Sequence, residues 1–143
     1  MLNKIFAIFA IISIITNMDK KIIRTDKAPA PIGPYSQAVL INNLLYVSGQ
    51  IAINPATNQL VMDNIIEETQ QVMKNIEAIL DAAGMNFSNV VKTSIFLKDM
   101  SHFSSVNEVY GAYFKSDFPA RETVQVAALP KNVNVEISVV ASF

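Results

Sequence analysis

The sequence predicts an α+β domain, a β-sheet with two helices packed on one of its faces. Two stretches, residues 64–83 and 103–114, carry apolar side chains at three- and four-residue steps, the period of an amphipathic helix. Short runs rich in β-branched residues precede, separate and follow them, in the order β-β-(β)-α-β-α-β-β. Residues 18–143 contain no internal repeat, low-complexity tract or linker, and a chain of 143 residues suits one domain rather than two.

The first seventeen residues stand apart. Lys4 is followed by eleven uncharged residues, Ile5 to Ile15. That is short of the roughly 20 residues of a membrane-spanning helix, and it resembles the hydrophobic region of an export signal. No small-x-small cleavage site follows, and Met18 opens a self-sufficient reading of its own. Residues 1–17 are therefore read as a signal-like leader, a misassigned start or a retained anchor, and they are kept out of the fold argument. The expected location is cytoplasmic, or exported if the leader acts as a signal.

From Ala28 to Pro34 three prolines exclude a helix and set an extended lead-in. Ala38–Asn42 and Leu45–Ile51 read as strands around a tight Asn42-Asn43 turn, with a second turn over Pro55–Asn58. In the first helix Ile65, Val72, Ile76, Ile79, Leu80 and Ala83 form one stripe. Asn64 is placed to cap it, Glu67 occupies the capping-box position, and Gly84 stands where a helix ends with positive φ. Val90–Leu97 is the next strand. In the second helix Phe103, Val106, Tyr110, Tyr113 and Phe114 share a face with Asn107, and Asp117-Phe118-Pro119 ends it. Val124–Leu129 and Val133–Ala141 complete the strands.

Val133, Val135, Ile137, Val139 and Ala141 line one side of the last strand, and the preceding strand is apolar on both sides. A sheet with one solvated face alternates more cleanly. The second face is therefore expected to be buried between subunits.

Composition excludes several chemistries. The chain has no cysteine, one histidine (His102) and a formal net charge of −1. A thiol nucleophile and a thiolate or histidine-rich metal site are excluded, and the net charge argues against a phosphate-backbone binder with its basic stripe. No phosphate-loop or dinucleotide glycine pattern is present. No metal, cofactor or nucleic-acid partner is expected, and no stable membrane association for residues 18–143.

Two charged residues in apolar strands are the candidates for chemistry. Arg121 is either a surface or salt-bridged arginine or a planar fork for a substrate carboxylate. Glu136, between Val135 and Ile137, is either an edge or interface ion-pair member or a carboxylate that handles a water. Asn107 reads as a core polar group or a site residue, and Tyr35 as packing or a pocket wall. Ser48-Gly49 ends a strand where the backbone is open to close approach. His102 is expected in solvent, and Asp19-Lys20-Lys21 as a solvated charge run.

Several segments together resemble a known family. They are Ile32-Gly33-Pro34-Tyr35-Ser36-Gln37, Val47-Ser48-Gly49-Gln50-Ile51, Gln71-Val72-Met73-Lys74-Asn75-Ile76, Val106-Asn107-Glu108-Val109-Tyr110, Phe118-Pro119-Ala120-Arg121, Val124 through Lys131, and Val135-Glu136-Ile137. In order and spacing, over residues 22–142, they are similar to the RidA/YjgF reactive-intermediate deaminases. The resemblance implies a chorismate-mutase-like mixed sheet with two helices on one face, assembled as a homotrimer with pockets between subunits. It implies cofactor-independent hydrolysis of 2-imino acids, such as 2-iminopropanoate and 2-iminobutanoate, to 2-keto acids and ammonia. Arg121 matches the arginine that grips the substrate carboxylate, and Glu136 the glutamate near the catalytic water. Tyr35, Ser48, Gly49 and Asn107 match pocket positions, and Thr123 matches a position that is often cysteine. Glu122 departs from the pattern, where many relatives carry serine; in a regular strand it points away from Arg121, and in an irregular one it competes for the guanidinium. The alternatives are a non-catalytic trimer that binds small carboxylates or unfolded clients, and a single-strand endoribonuclease that inhibits translation.

Overall fold

A computed structural model describes residues 19–143, so the reading of residues 1–17 as a leader lies outside the described residues. Six strands form one sheet in the order β1-β2-β3-β8-β6-β7. They are β1 (Lys20–Ile23), β2 (Ala38–Ile41), β3 (Leu44–Gln50), β6 (Val90–Leu97), β7 (Ala120–Gln125) and β8 (Val135–Ser142). A two-residue-per-strand hairpin, β4 (Ile53–Asn54) and β5 (Gln59–Leu60), closes over the Pro55–Asn58 turn. All neighbours in the main sheet are antiparallel except β6 and β7, which are parallel and joined through helix α2 (Phe103–Gly111). The sheet is mixed, as expected.

Helix α1 (Ile65–Ala82) lies across β3 and β8 and packs on α2. Asn64 accepts a hydrogen bond from the Glu67 N–H at 3.0 Å, and Gly84 leaves the helix at φ +76. One face of α1 buries Val72, Met73, Ile76, Ile79 and Leu80 against Val135, Ile137, Val139 and Ala141 of β8, with Leu45, Val47, Ile95 and Leu97 alongside. The one-sided burial of β8 is the one its alternation predicts.

The structure corrects four boundaries. β1 is a strand paired with β2 from Lys20↔Ile41 to Ile23↔Ala38, not a bare charge run. Its lysines are exposed at the edge, where charge discourages further strand addition. The seventh strand covers 120–125, not 124–129, because its register is set by β6: Lys92 pairs with Ala120 and Leu97 with Gln125. Beyond Gln125 β6 has ended and the chain leaves the sheet, so pairing overrides the apolar run. Helix α2 stops at Gly111, and Tyr113 and Phe114 follow in tighter turns bonded to carbonyls three residues back. Both rings still reach the core, through an aromatic cluster with Phe87 and Tyr110. The last strand starts at Val135 because Lys131 and Asn132 adopt left-handed φ values of 54° and 59° just before it.

Among the described residues nothing covers the face of the sheet away from the helices. It presents Val39, Ile41, Leu44, Tyr46, Phe96, Val124 and Val140, with Tyr46 48 % and Val124 41 % exposed. Among the described residues no helix is long and apolar enough to cross a membrane.

Candidate functional site

Glu136 lies on β8, the third strand from one edge of the main sheet and in its interior, and points to the open face between two inward residues, Val135 and Ile137. Opposite it β3 is irregular. Val47 pairs with Val139 and Gln50 with Ile137, so β3 spends one more residue than β8 across this span. That bulge holds Ser48 and Gly49, and bulges re-aim side chains where a strand meets a site. A methyl group on Gly49 would overlap Glu136 Oε1 and fall 2.8 Å from its Cδ. Glycine is required here for the room that Glu136 occupies. Gly49→Ala is expected to leave a folded protein with Glu136 displaced and turnover lowered by about tenfold to hundredfold, since misplacement of about 1 Å has that effect. A crystal structure with steady-state kinetics checks it; wild-type rates in the variant would contradict this packing.

Around Glu136 is a cavity of about 260 Å³ lined by Pro29, Ala30, Ile32, Tyr35, Gln37, Ser48, Gly49, Gln50, Ile51, Ile53 and Pro130. The walls are mostly apolar and contain no cation. Burial pushes the Glu136 carboxyl above the usual carboxylate range. Gln37, itself buried, fixes the proline-rich wall. Its Oε1 accepts the Thr25 N–H at 2.8 Å, and its Nε2 donates to the carbonyls of Thr25, Pro29 and Ala28 at 2.9, 2.9 and 3.2 Å. Ser48 Oγ donates to the Ser36 carbonyl at 2.7 Å, and the Tyr35 hydroxyl oxygen accepts the Ile32 N–H at 3.2 Å.

Arg121 is elsewhere. It pairs with Thr93 on β6, so it projects from edge strand β7 to the helix face of the sheet. Its Nη1 donates to Asn107 Oδ1 on α2 at 2.8 Å. Its Cζ lies 5.0 Å from the Tyr110 ring centroid and 6.0 Å from that of Phe103. Tyr110 is held in turn by its hydroxyl donating to Thr93 Oγ1 at 3.1 Å, and burial raises its phenol above the usual range. The guanidinium is exposed, with no carboxylate partner among the described residues. Arg121 lines an open cleft of about 440 Å³ with Asn107, Tyr110, Gly111, Phe118 and Pro119. An exposed arginine beside aromatic rings and bonded to an amide can bind a planar carboxylate.

One chain therefore gathers Glu136, Tyr35, Ser48 and Gly49 in one cavity and Arg121 with Asn107 in another, on opposite faces of the sheet. Thr123 lines neither cavity. It follows Arg121 on the same face, with its Oγ1 buried and unbonded. His102 is half-buried rather than solvated, and its Nδ1 also lacks a partner. Glu122 does not compete for Arg121: it turns to the open face and pairs with Lys92 and Ser94, which hold its carboxyl below the usual range. Sequence reasoning missed Phe103 and Tyr110 as partners of Arg121, although they stand four residues before and three after Asn107 on one helix face. It also missed Gln37, whose role depends on a fold-back no local pattern reveals. Among the described residues no cluster of three or more histidine, aspartate or glutamate side chains could hold a metal ion.

Comparison with known proteins gives a consistent picture. Residues 25–143 match the family described as Endoribonuclease L-PSP. The human protein named 2-iminobutanoate/2-iminopropanoate deaminase is 52 % identical over 126 residues, covering 88 % of this chain and 92 % of the relative. A crystal structure of a Rid-family protein from Yersinia pestis superposes with a TM-score of 0.85 at 51 % identity, covering 87 % of this chain and all of that one. The structure of Escherichia coli TdcF with bound serine superposes with a TM-score of 0.83 at 36 % identity, covering 86 % and 98 %.

Proposed function

This chain belongs to the Endoribonuclease L-PSP family, the RidA/YjgF proteins, and from that premise we propose that it hydrolyses 2-imino acids such as 2-iminobutanoate and 2-iminopropanoate to 2-keto acids and ammonia. The observation that carries the reading is Glu136, a carboxylate raised in pKa by burial and facing an apolar cavity.

The reading needs Arg121 and Glu136 at one ligand, and in a single chain they face opposite ways. Self-association resolves this. A neighbour's Arg121 cleft set against the Glu136 cavity completes the site, and the uncovered apolar face supplies the surface to bury. We assign a homotrimer with three such composite sites, built from residues 18–143. The cavity's apolar lining, without cation or histidine, suits a small imino acid better than a phosphodiester.

In the composite site Arg121 grips the carboxylate through two N–H groups and so orients the imine carbon. Tyr35, Ser48 and the Gly49 backbone bound the space around it, and Asn107 and Thr123 flank the arginine. Glu136 accepts a proton as a water oxygen bonds to the C=N carbon, and the π pair moves to nitrogen. That proton passes to the nitrogen, giving a carbinolamine; Glu136 then takes the hydroxyl proton and delivers it to the amino group as the C–N bond breaks and C=O forms, and ammonia leaves. A carboxyl whose pKa lies closer to neutrality serves both proton transfers. The reaction requires no cofactor, and its substrates arise where pyridoxal-phosphate enzymes release enamines, an origin that supports a cytoplasmic location.

The test couples an amino-acid oxidase or a dehydratase to the purified protein, with semicarbazide trapping the surviving imine. Shortened imine lifetime and a smaller semicarbazone yield than in buffer are expected. Yields equal to buffer, with the oligomer intact by light scattering, would overturn the deaminase reading.

A further inference from the structure

Helix α1 buries three polar side chains that the mechanism does not use, and two of them, Glu68 and Asn75, reach beyond the helix to other segments of the chain. Glu68 and Asn75 are almost completely inaccessible and lie seven residues apart, two turns along one face. Glu68 accepts the Asn134 backbone N–H at 2.7 Å with Oε1 and the Asn134 Nδ2 at 2.8 Å with Oε2. Asn75 donates from Nδ2 to the carbonyls of Ile51 at 3.1 Å and Ile53 at 2.9 Å, while Gln71 Nε2 donates to its Oδ1 at 2.8 Å.

These partners are the backbone of the Glu136 cavity. Ile51 and Ile53 line it, Asn134 stands two residues before Glu136, and Pro130 forms another wall. Ile51, Ile53 and Val133 pack together as a small apolar cluster apart from the main core. A buried carboxylate is costly unless its oxygens are bonded, and both Glu68 oxygens are committed to Asn134. The wall it holds also runs against local preference, with Lys131 and Asn132 both at positive φ. Such backbone persists only where its surroundings fix it.

We propose that Glu68 and Asn75 are positioning residues for the Glu136 cavity, fixing from one face of α1 the two backbone segments that set where Glu136 and its opposing wall stand. The activity arm of the test rests on the deaminase reading; a second readout does not.

Glu68→Gln keeps an acceptor for one bond but turns an amide N–H toward a donor. A fall of about tenfold to hundredfold in kcat is expected with KM little changed, as for a displaced catalytic group. Adding Asn134→Asp restores complementarity, because the new amide donates to the new carboxylate, and activity returns to near the wild-type value. In parallel, the Glu136 carboxyl is titrated by carbon-13 NMR. Its midpoint moves toward the ordinary glutamate range in Glu68→Gln and in Asn75→Leu, and returns in the double variant. If Glu68→Gln does not fold, Asn134→Ala, which loses only the Nδ2 bond, is read in its place with a smaller shift in the same direction. Folded single variants with wild-type kinetics and titration, or a double variant no better than Glu68→Gln, would overturn the proposal. A wild type without activity whose Glu136 midpoint still responds in this way would overturn the deaminase reading and leave the positioning role standing.

Discussion

Glu136→Gln lowers imine hydrolysis by about 10²- to 10⁴-fold, the usual contribution of a general base, and raises the melting temperature at neutral pH. The two effects share one cause. Burial lifts the Glu136 pKa in the folded protein above its value in the unfolded chain. The protonated form is therefore the one favoured by folding. Its contribution is fully present below the unfolded pKa and is lost as pH rises through the folded pKa. At neutral pH the ionised carboxylate works against the fold, and the neutral amide does not. The melting temperatures of wild type and variant should converge in acid, below the ordinary glutamate range, and separate as pH rises through the raised value. The acid limb of wild-type kcat/KM should lie above the ordinary glutamate pKa for the same reason. A variant that is equally active, or less stable than wild type at every pH, would contradict the role assigned to this carboxylate.

Arg121→Ala lowers kcat/KM by about a hundredfold or more, the scale of losing the group that orients the reacting carbon. Arg121→Lys recovers little of it. The guanidinium lies 5.0 Å over Tyr110 and donates to Asn107, and a lysine has neither the flat surface nor the fork to fill both roles. Stability should hardly change, because Arg121 is exposed and forms no ion pair among the described residues. Steady-state kinetics with calorimetry separates these outcomes; a large loss of stability, or lysine restoring full activity, would count against the carboxylate-binding role.

Much of the fold was legible in the residues. The α1 stripe, its Asn64 cap and the alternation of β8 each have a period that sterics impose, and each appears where expected. The errors fall where pairing or a fold-back decides. Nothing local marks Lys20–Ile23 as a strand until β2 lies beside it, and β7 takes its limits from β6 rather than from its own apolar run. For the candidate site, the individual residues could be picked out because Arg121 and Glu136 are charges set in apolar strands. Their arrangement could not. Parity along each strand gives a face, but which faces coincide depends on the order β3-β8-β6-β7, and that order places the two on opposite sides. Glu68 and Asn75 were hidden because a polar residue on a helix reads as solvated until the loops beneath it are known.

The proposed site takes Arg121 from one chain and Glu136 from another. Arg121→Ala and Glu136→Gln proteins, each expected to be at least about a hundredfold impaired alone, are unfolded together, refolded as a mixture and assayed, with hybrid formation followed by native mass spectrometry. Random assembly of composite sites gives about one quarter of wild-type activity, since half the sites receive an intact arginine and half of those an intact glutamate. Hybrids that form and stay as inactive as their parents would show that no site joins two chains.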